Sequence, residues 1–124
     1  MKSLNPVCWF DINVSNLNES KGFYESVFDI KLTDLPAEWG KQSTFPFDEQ
    51  GPNATGALVE KSDISANGNN TVIYFASADC VTEEVRVEKA GGKIIRPKMP
   101  IGEFGYISLF LDLDGNTIGL YSKK

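Results

Sequence analysis

From Val7 to Val14 the chain reads as a strand with two unlike faces. Phe10, Ile12 and Val14 fall on one side, an ordinary core face. Trp9, Asp11 and Asn13 fall on the other, which mixes an indole, a carboxylate and an amide. The period then changes. Phe23, Tyr24, Val27 and Phe28 recur at helical spacing, and "NLNE" places Asn16 at the N-cap with Glu19 three residues on, a capping-box pattern. Three extended stretches follow: Asp29–Pro36, Gln42–Phe47 and Thr55–Lys61. Pro46 makes the second of these an edge strand or a broken one.

A polar run rich in turn formers, Ser62–Asn70, reads as a linker. The pattern then starts again. Thr71–Ser77 is a strand. Asp79 caps a second helix, with Val81 and Val85 marking its buried side. "KAGG" (Lys89–Gly92) supplies a basic last turn and a glycine stop. "KIIRP" is a strand, and Gly105–Leu113 and Thr117–Ser122 are two more, joined by the hairpin signal "DGN". Shifting the first half by 63 residues carries Asn16 onto Asp79, Val14 onto Ser77 and Leu32 onto Ile95 without a gap. The order strand-helix-three strands therefore occurs twice, as an internal duplication.

Composition narrows the chemistry. A chain of 124 residues suits one compact domain, and 41% hydrophobic with 11% aromatic residues argues against disorder. No apolar run reaches the ~20 residues of a membrane span. MKSLNPV carries no apolar signal segment, so a cytoplasmic protein is expected. Net charge is −5, with the acidic excess mainly in the first half. That disfavours nucleic acid and is compatible with a cationic small ligand; it also serves plain solubility. Histidine is absent. Ser-His-Asp and Cys-His machinery is thereby excluded, and a metal would need a shell of oxygens. Cys8 and Cys80 are too few for a disulfide scaffold and read as buried or half-buried thiols.

Two stretches carry a resemblance. "WFDINVSNLNESKGFYESVFDIKL" is similar to the first strand, capped helix and Phe-Gly-like stop of the vicinal oxygen chelate superfamily, the group of glyoxalase I, bleomycin-resistance proteins and extradiol dioxygenases. "GEFGYISLFLDLDGNTIGLYS" resembles that family's closing hairpin with its Asp-x-Asp/Glu-Gly-Asn turn. The likeness spans nearly the whole chain. It implies an α+β fold of two tandem βαβββ modules, about 5–61 and 71–123 with the linker 62–70 between them, whose mixed sheets curl into a ligand-holding cup. It also implies a homodimer.

In the metal enzymes of that family four His, Gln or Glu side chains line the cup. Counting seven residues back from each cap gives Trp9 and Val72; the last-hairpin position is Gly119. None of these can bind a metal. The remaining ligand falls near Leu58 to Glu60, where Glu60 alone offers oxygen. No metal cofactor is expected, and the reading is a metal-independent protein that binds a small cationic or aromatic molecule. The alternatives are a lyase, isomerase or dioxygenase using a rebuilt metal site or acid-base chemistry through Asp11 or Glu60, and a non-catalytic interaction module.

Parity sends Trp9, Asp11 and Asn13 into the cup, with Tyr74, Tyr121 and Glu60 as further candidate ligand contacts. On "YISLF" the inward face stays open. Trp9 is either the floor of a pocket or a plug that fills it. Asp11 either meets a ligand or pairs with Arg86, Arg96 or a lysine. Tyr121 either lines the cup or sits half-exposed at an edge. Phe104, in the glycine-flanked "GEFGY", is a lid candidate, and Trp39 is a lid or a dimer contact.

Overall fold

The computed structural model describes residues 7–62, 69 and 71–124. Most of the predicted linker and the N-terminal residues 1–6 lie outside the described residues. Among the described residues, eight strands and two helices run in the order β1 (Trp9–Val14), α1 (Leu17–Phe28), β2 (Thr33–Asp34), β3 (Gln42–Thr44), β4 (Thr55–Glu60), β5 (Ile73–Ala76), α2 (Cys80–Val87), β6 (Lys93–Pro100), β7 (Tyr106–Leu111) and β8 (Thr117–Ser122). Short 3-10 turns cover Ala37–Trp39 and Gly102–Phe104. No described helix is long and apolar enough to cross a membrane.

The strands form two four-stranded mixed sheets, ordered β1-β4-β3-β2 and β5-β8-β7-β6. In each, the first strand runs parallel to the last, and the other neighbours are antiparallel. This is the α+β architecture the duplication predicts. One detail of the duplication changes. Asn16 and Asp79, the two caps, do correspond at a shift of 63. Ser43 and Ser108, which face Leu58 and Leu120 across their hairpins, correspond at 65 (108 − 43), and Leu58 and Leu120 themselves at 62 (120 − 58). Unequal connections account for this: residues 45–54 join β3 to β4, whereas residues 112–116 suffice between β7 and β8.

The chain divides into two compact units, Met1–Lys21 with Ile30–Ile64, and Gly22–Asp29 with Ser65–Lys124. The second unit thus takes the last part of α1. The reason is aromatic. Phe28 stacks on Phe75 of β5 with ring centroids 4.6 Å apart, and Phe23 lies 6.1 Å from Phe110 of β7. Phe23, Tyr24, Val27, Phe110, Ile118 and Leu120 make the core of this unit. Ile12, Val14, Leu32, Phe45 and Leu58 make that of the first. Residues that strongly prefer burial at i, i+1, i+4 and i+5 leave α1 one wide apolar stripe.

Both helices are started by the same two devices. At α1 the Asn16 Oδ1 accepts from Glu19 N–H at 3.0 Å, and at α2 the Asp79 Oδ1 accepts from Val81 N–H at 3.1 Å. The first helical N–H in each case goes to the final side chain of the last strand. Leu17 N–H donates to Glu60 Oε1 at 2.9 Å, and Cys80 N–H donates to Ser122 Oγ at 3.2 Å. Orphan donors at a helix start are satisfied from a neighbouring strand rather than from water.

Several expectations are corrected. Val81 and Val85 are 45% and 63% exposed, and the buried side of α2 carries Cys80 and Val87. The bond to Ser122 sets the phase: Cys80 points inward, so Val87, two turns on, does too, and Val81 falls roughly 100° away. Cys8 is exposed because it precedes the first paired residue of β1. Of the two alternatives for Gln42–Phe47, the broken strand is the one found: β3 stops at Thr44, two residues short of Pro46, and lies between β4 and β2, not at an edge. The strand predicted over Asp29–Pro36 shrinks to Thr33–Asp34.

The closing hairpin is built around one carboxylate. Asp112 is buried, and its Oδ1 accepts from Asp114 N–H and Asn116 N–H, each at 2.9 Å. Its Oδ2 accepts from Asn116 Nδ2 at 2.9 Å and from the Tyr24 hydroxyl at 2.7 Å. Gly115, with φ of 81°, makes the turn that these bonds wrap. Burial and, after it, the Asp112 charge push the Tyr24 hydroxyl well above the usual phenol range.

Tyr24→Phe should cost about 2 kcal/mol in urea unfolding, the worth of a buried hydrogen bond to a charged acceptor. Its second signature is alkaline. The folded state keeps Tyr24 protonated while the unfolded chain releases that proton above about pH 10, so stability falls as pH rises past that point. The fall in the wild type should exceed that in Tyr24→Phe by one proton's slope. Equal slopes would contradict the arrangement. Glu60→Ala should lose about 1 kcal/mol, the cost of an N-terminal helix acceptor. Glu60→Gln, which keeps the oxygen, should lose less; if both behave as wild type, the bond to Leu17 carries no weight.

Candidate functional site

Strand pairing settles which side chains share a face, because partnered residues in a ladder point the same way. In the first unit Phe10, Ile12 and Val14 lie with Gly56, Leu58 and Glu60 on the helix-bearing side. The open side carries Trp9, Asp11 and Asn13 from β1, Thr55, Val59 and the buried Ala57 from β4, Gln42 and Thr44 from β3, and Thr33 from β2. Trp9 is 44% exposed, so it is not a buried plug. Its Nε1–H donates to Asp11 Oδ1 at 2.9 Å. Two same-face positions on a strand bring the indole edge and the carboxylate together, and this bond orients both.

None of the described ion pairs joins Asp11 to Arg86, Arg96 or a lysine. Arg86 donates to the Val27 carbonyl at 3.1 Å, closing the end of α1, and Arg96 donates to Met99 Sδ at 3.6 Å. Glu60 does not join the open face. Its pairing with Val14 turns it to the helix side, where it holds Leu17 N–H and lies 3.6 Å from Lys41 Nζ. In a strand one residue reverses the face, so of the stretch Leu58 to Glu60 only Val59 lies on the open side. A shallow depression of about 240 Å³ beside it, lined by Leu17, Leu35, Lys41 and Gln42, is already served by this cap.

In the second unit the ambiguity over "YISLF" resolves. Tyr106, Ser108 and Phe110 pair with Ser122, Leu120 and Ile118 on the helix side, and Ser108 and Phe110 are fully buried. The open side carries Tyr74 and Ala76 from β5, Thr117, Gly119 and Tyr121 from β8, Ile107, Leu109 and Leu111 from β7, and Lys93, Arg96 and Met99 from β6. Tyr74 is 46% exposed. Its ring lies across β8 over Gly119: a Cβ added to that glycine would stand 2.4 Å from Tyr74 Cδ2 and 2.6 Å from Cε2.

Tyr121 donates its hydroxyl to the Phe104 carbonyl, so this ring is tied to the rim turn Gly102–Phe104. Gly102 and Gly105, both at positive φ, flank that turn, and Phe104 itself is 69% exposed. Of Trp39 only the backbone, at the end of the Ala37–Trp39 turn, is described. Ionised pairs elsewhere are structural. Lys98, hydrogen-bonded to Asp79 at 2.9 Å, holds that carboxyl below the usual range at the start of α2, and Lys21 with Ser43 does the same for Asp34.

The positions that the resemblance counts as metal-binding are Trp9, Val72 and Gly119, and around Leu58 the open-face residues of β4 are Ala57 and Val59. None offers a ligating atom, and the space a side chain at 119 would take is filled by the Tyr74 ring. Among the described residues no three His, Cys, Asp or Glu side chains gather to hold an ion. The pairing of Tyr74 with Gly119 was missed from sequence. A glycine in a strand was the available signal, since it marks a place where another group comes close.

Comparison with known proteins places this architecture. The chain is 26% identical over 117 residues to a protein of Mycobacterium bovis provisionally named glyoxylase CFP32; the match covers 91% of this chain and 44% of the relative, so the chain spans less than half of that protein's length. A glyoxalase/bleomycin resistance protein from Albidiferax ferrireducens superposes with a TM-score of 0.75 at 16% identity, covering 97% of this chain and all of that one. The fosfomycin resistance protein FosX from Listeria monocytogenes gives 0.72 at 15%, covering 98% and 96%. At these identities the superpositions speak for the fold alone. Residues 5–120 match the family model described as the Glyoxalase/Bleomycin resistance protein/Dioxygenase superfamily, and the chain belongs to that superfamily.

Proposed function

We propose that this protein binds a small molecule on the open faces of its sheets and does so without a metal ion. The observation that supports this most directly is the Tyr74 ring over Gly119. Where metal-dependent relatives place an oxygen or nitrogen ligand, this chain has an aromatic surface. Exposed aromatic rings with few polar groups are the usual make-up of a small-ligand site.

The first unit adds a charge. The Trp9 indole beside the Asp11 carboxylate suits an organic cation, which gains from the π face and the carboxylate together. The M. bovis protein bears a glyoxylase name and FosX a resistance name, so catalysis and sequestration both occur to mind for this chain. Acid-base catalysis would have to run through Asp11, because Glu60 is committed to the start of α1. Sequestration needs no such group and fits the side chains better.

Metal analysis of protein purified without chelator should find well under one equivalent of Mn, Fe, Ni or Zn per chain. A stoichiometric ion would overturn the metal-free reading. Benzyltrimethylammonium at ten times its dissociation constant should stabilise the fold by about 1.4 kcal/mol. Asp11→Asn should weaken that binding and leave unfolding in the absence of ligand within about 0.5 kcal/mol of wild type, as for exposed positions. Unchanged affinity in Asp11→Asn would remove Asp11 from the site.

A further inference from the structure

We propose that the open face of the second unit selects planar aromatic molecules, with Tyr74 as the stacking surface and Gly119 as the residue that holds it in place. The inference rests on the small-molecule reading above and goes beyond it by choosing the ligand's class. Three observations carry it. The first is position. The Tyr74 ring is laid across the neighbouring strand, over a residue without a side chain, while the residue stays 46% exposed. A ring braced on one side by backbone and open on the other loses little freedom when a second ring covers it.

The second is charge. On β5, β8 and β7 pairing places Tyr74, Ala76, Ile107, Leu109, Leu111, Thr117, Gly119 and Tyr121 on this face, none ionisable at neutral pH, and the charged residues of the face, Lys93 and Arg96, stand on β6. No carboxylate stands among these residues, and the two cations lie at the opposite edge of the sheet from Tyr74. The third is hydrogen bonding. The Tyr121 hydroxyl already donates to the Phe104 carbonyl, so that ring offers a ligand chiefly its apolar surface. Recognition at Tyr74 by dispersion and ring quadrupole favours offset-stacked aromatic partners over saturated molecules of the same size.

Gly119 is the specificity-determining residue in this arrangement. Any side chain there would stand within 2.4 to 2.9 Å of Tyr74 Cδ2, Cε2 and Cγ, so the ring would have to leave. Because Tyr74 is half-exposed, it can swing into solvent and the fold need not break. Alanine at 119 should therefore remove the stacking surface while keeping the tyrosine.

The test uses 2-naphthol and its saturated counterpart decahydro-2-naphthol, both neutral at pH 7, titrated into the full chain and followed by amide shifts in two-dimensional NMR. 2-Naphthol should bind, with the largest shifts in β5 and β8, and decahydro-2-naphthol should bind about tenfold more weakly. Tyr74→Leu and Gly119→Ala should each lose about the same factor for 2-naphthol only, and Tyr74→Phe should keep wild-type affinity. If Gly119→Ala does not fold, Tyr74→Leu, at an exposed position, still decides. Equal affinity for the two compounds, or an unaltered Tyr74→Leu, overturns the inference while leaving small-molecule binding intact. If neither compound nor benzyltrimethylammonium binds at millimolar concentration, both readings fall together.

Discussion

The parallel pairing of first and last strand governs what each unit can present. It is pinned at one end by a single type of contact, the last side chain of the final strand on the first N–H of the helix. Glu60 does this in one unit and Ser122 in the other. Once that bond is made, the helix phase and the strand register are no longer independent. Cys80 must point inward, Tyr74 must face away from the helices, and Gly119 must lie beside it. The residue chosen for the bond is secondary, since a carboxylate and a hydroxyl serve equally as acceptors. That explains how two halves with few identities keep one architecture.

The strands, helices and caps were legible because they follow short-range rules. Asn16 and Asp79 announce helix starts through their own side chains, and both make the expected bonds. Alternation along "WFDINV" separated its two faces correctly, since a strand's period does not depend on what it packs against. Errors arose where long-range register decides. Glu60 was misassigned because the phase of β4 is set by β1 and not by its own residues. Val81 and Val85 looked like core because they are valines four apart, yet the stripe buried on α2 is chosen by Ser122, 42 residues downstream of Cys80.

The candidate site was half legible. The expectation of no metal ligand at Trp9, Val72 and Gly119 rested on residue identities alone. The contacts these residues make needed coordinates. The bond between the Trp9 indole and Asp11 joins residues two apart and was within reach of a strand reading. The contact of Tyr74 with Gly119 joins strands 45 residues apart in the chain, and no local pattern reports it. Likewise Asp112 reads as a turn residue in "DLDGN", but its bond to Tyr24, 88 residues earlier, makes it a tie between hairpin and helix.

The crowding at Gly119 has a consequence for how such a site can change over time. A ligating side chain at 119 collides with Tyr74, and removing Tyr74 alone strips the aromatic surface without supplying a ligand. The two positions are therefore coupled: what a side chain at 119 does depends on whether residue 74 carries a ring, and the choice at one constrains the choice at the other.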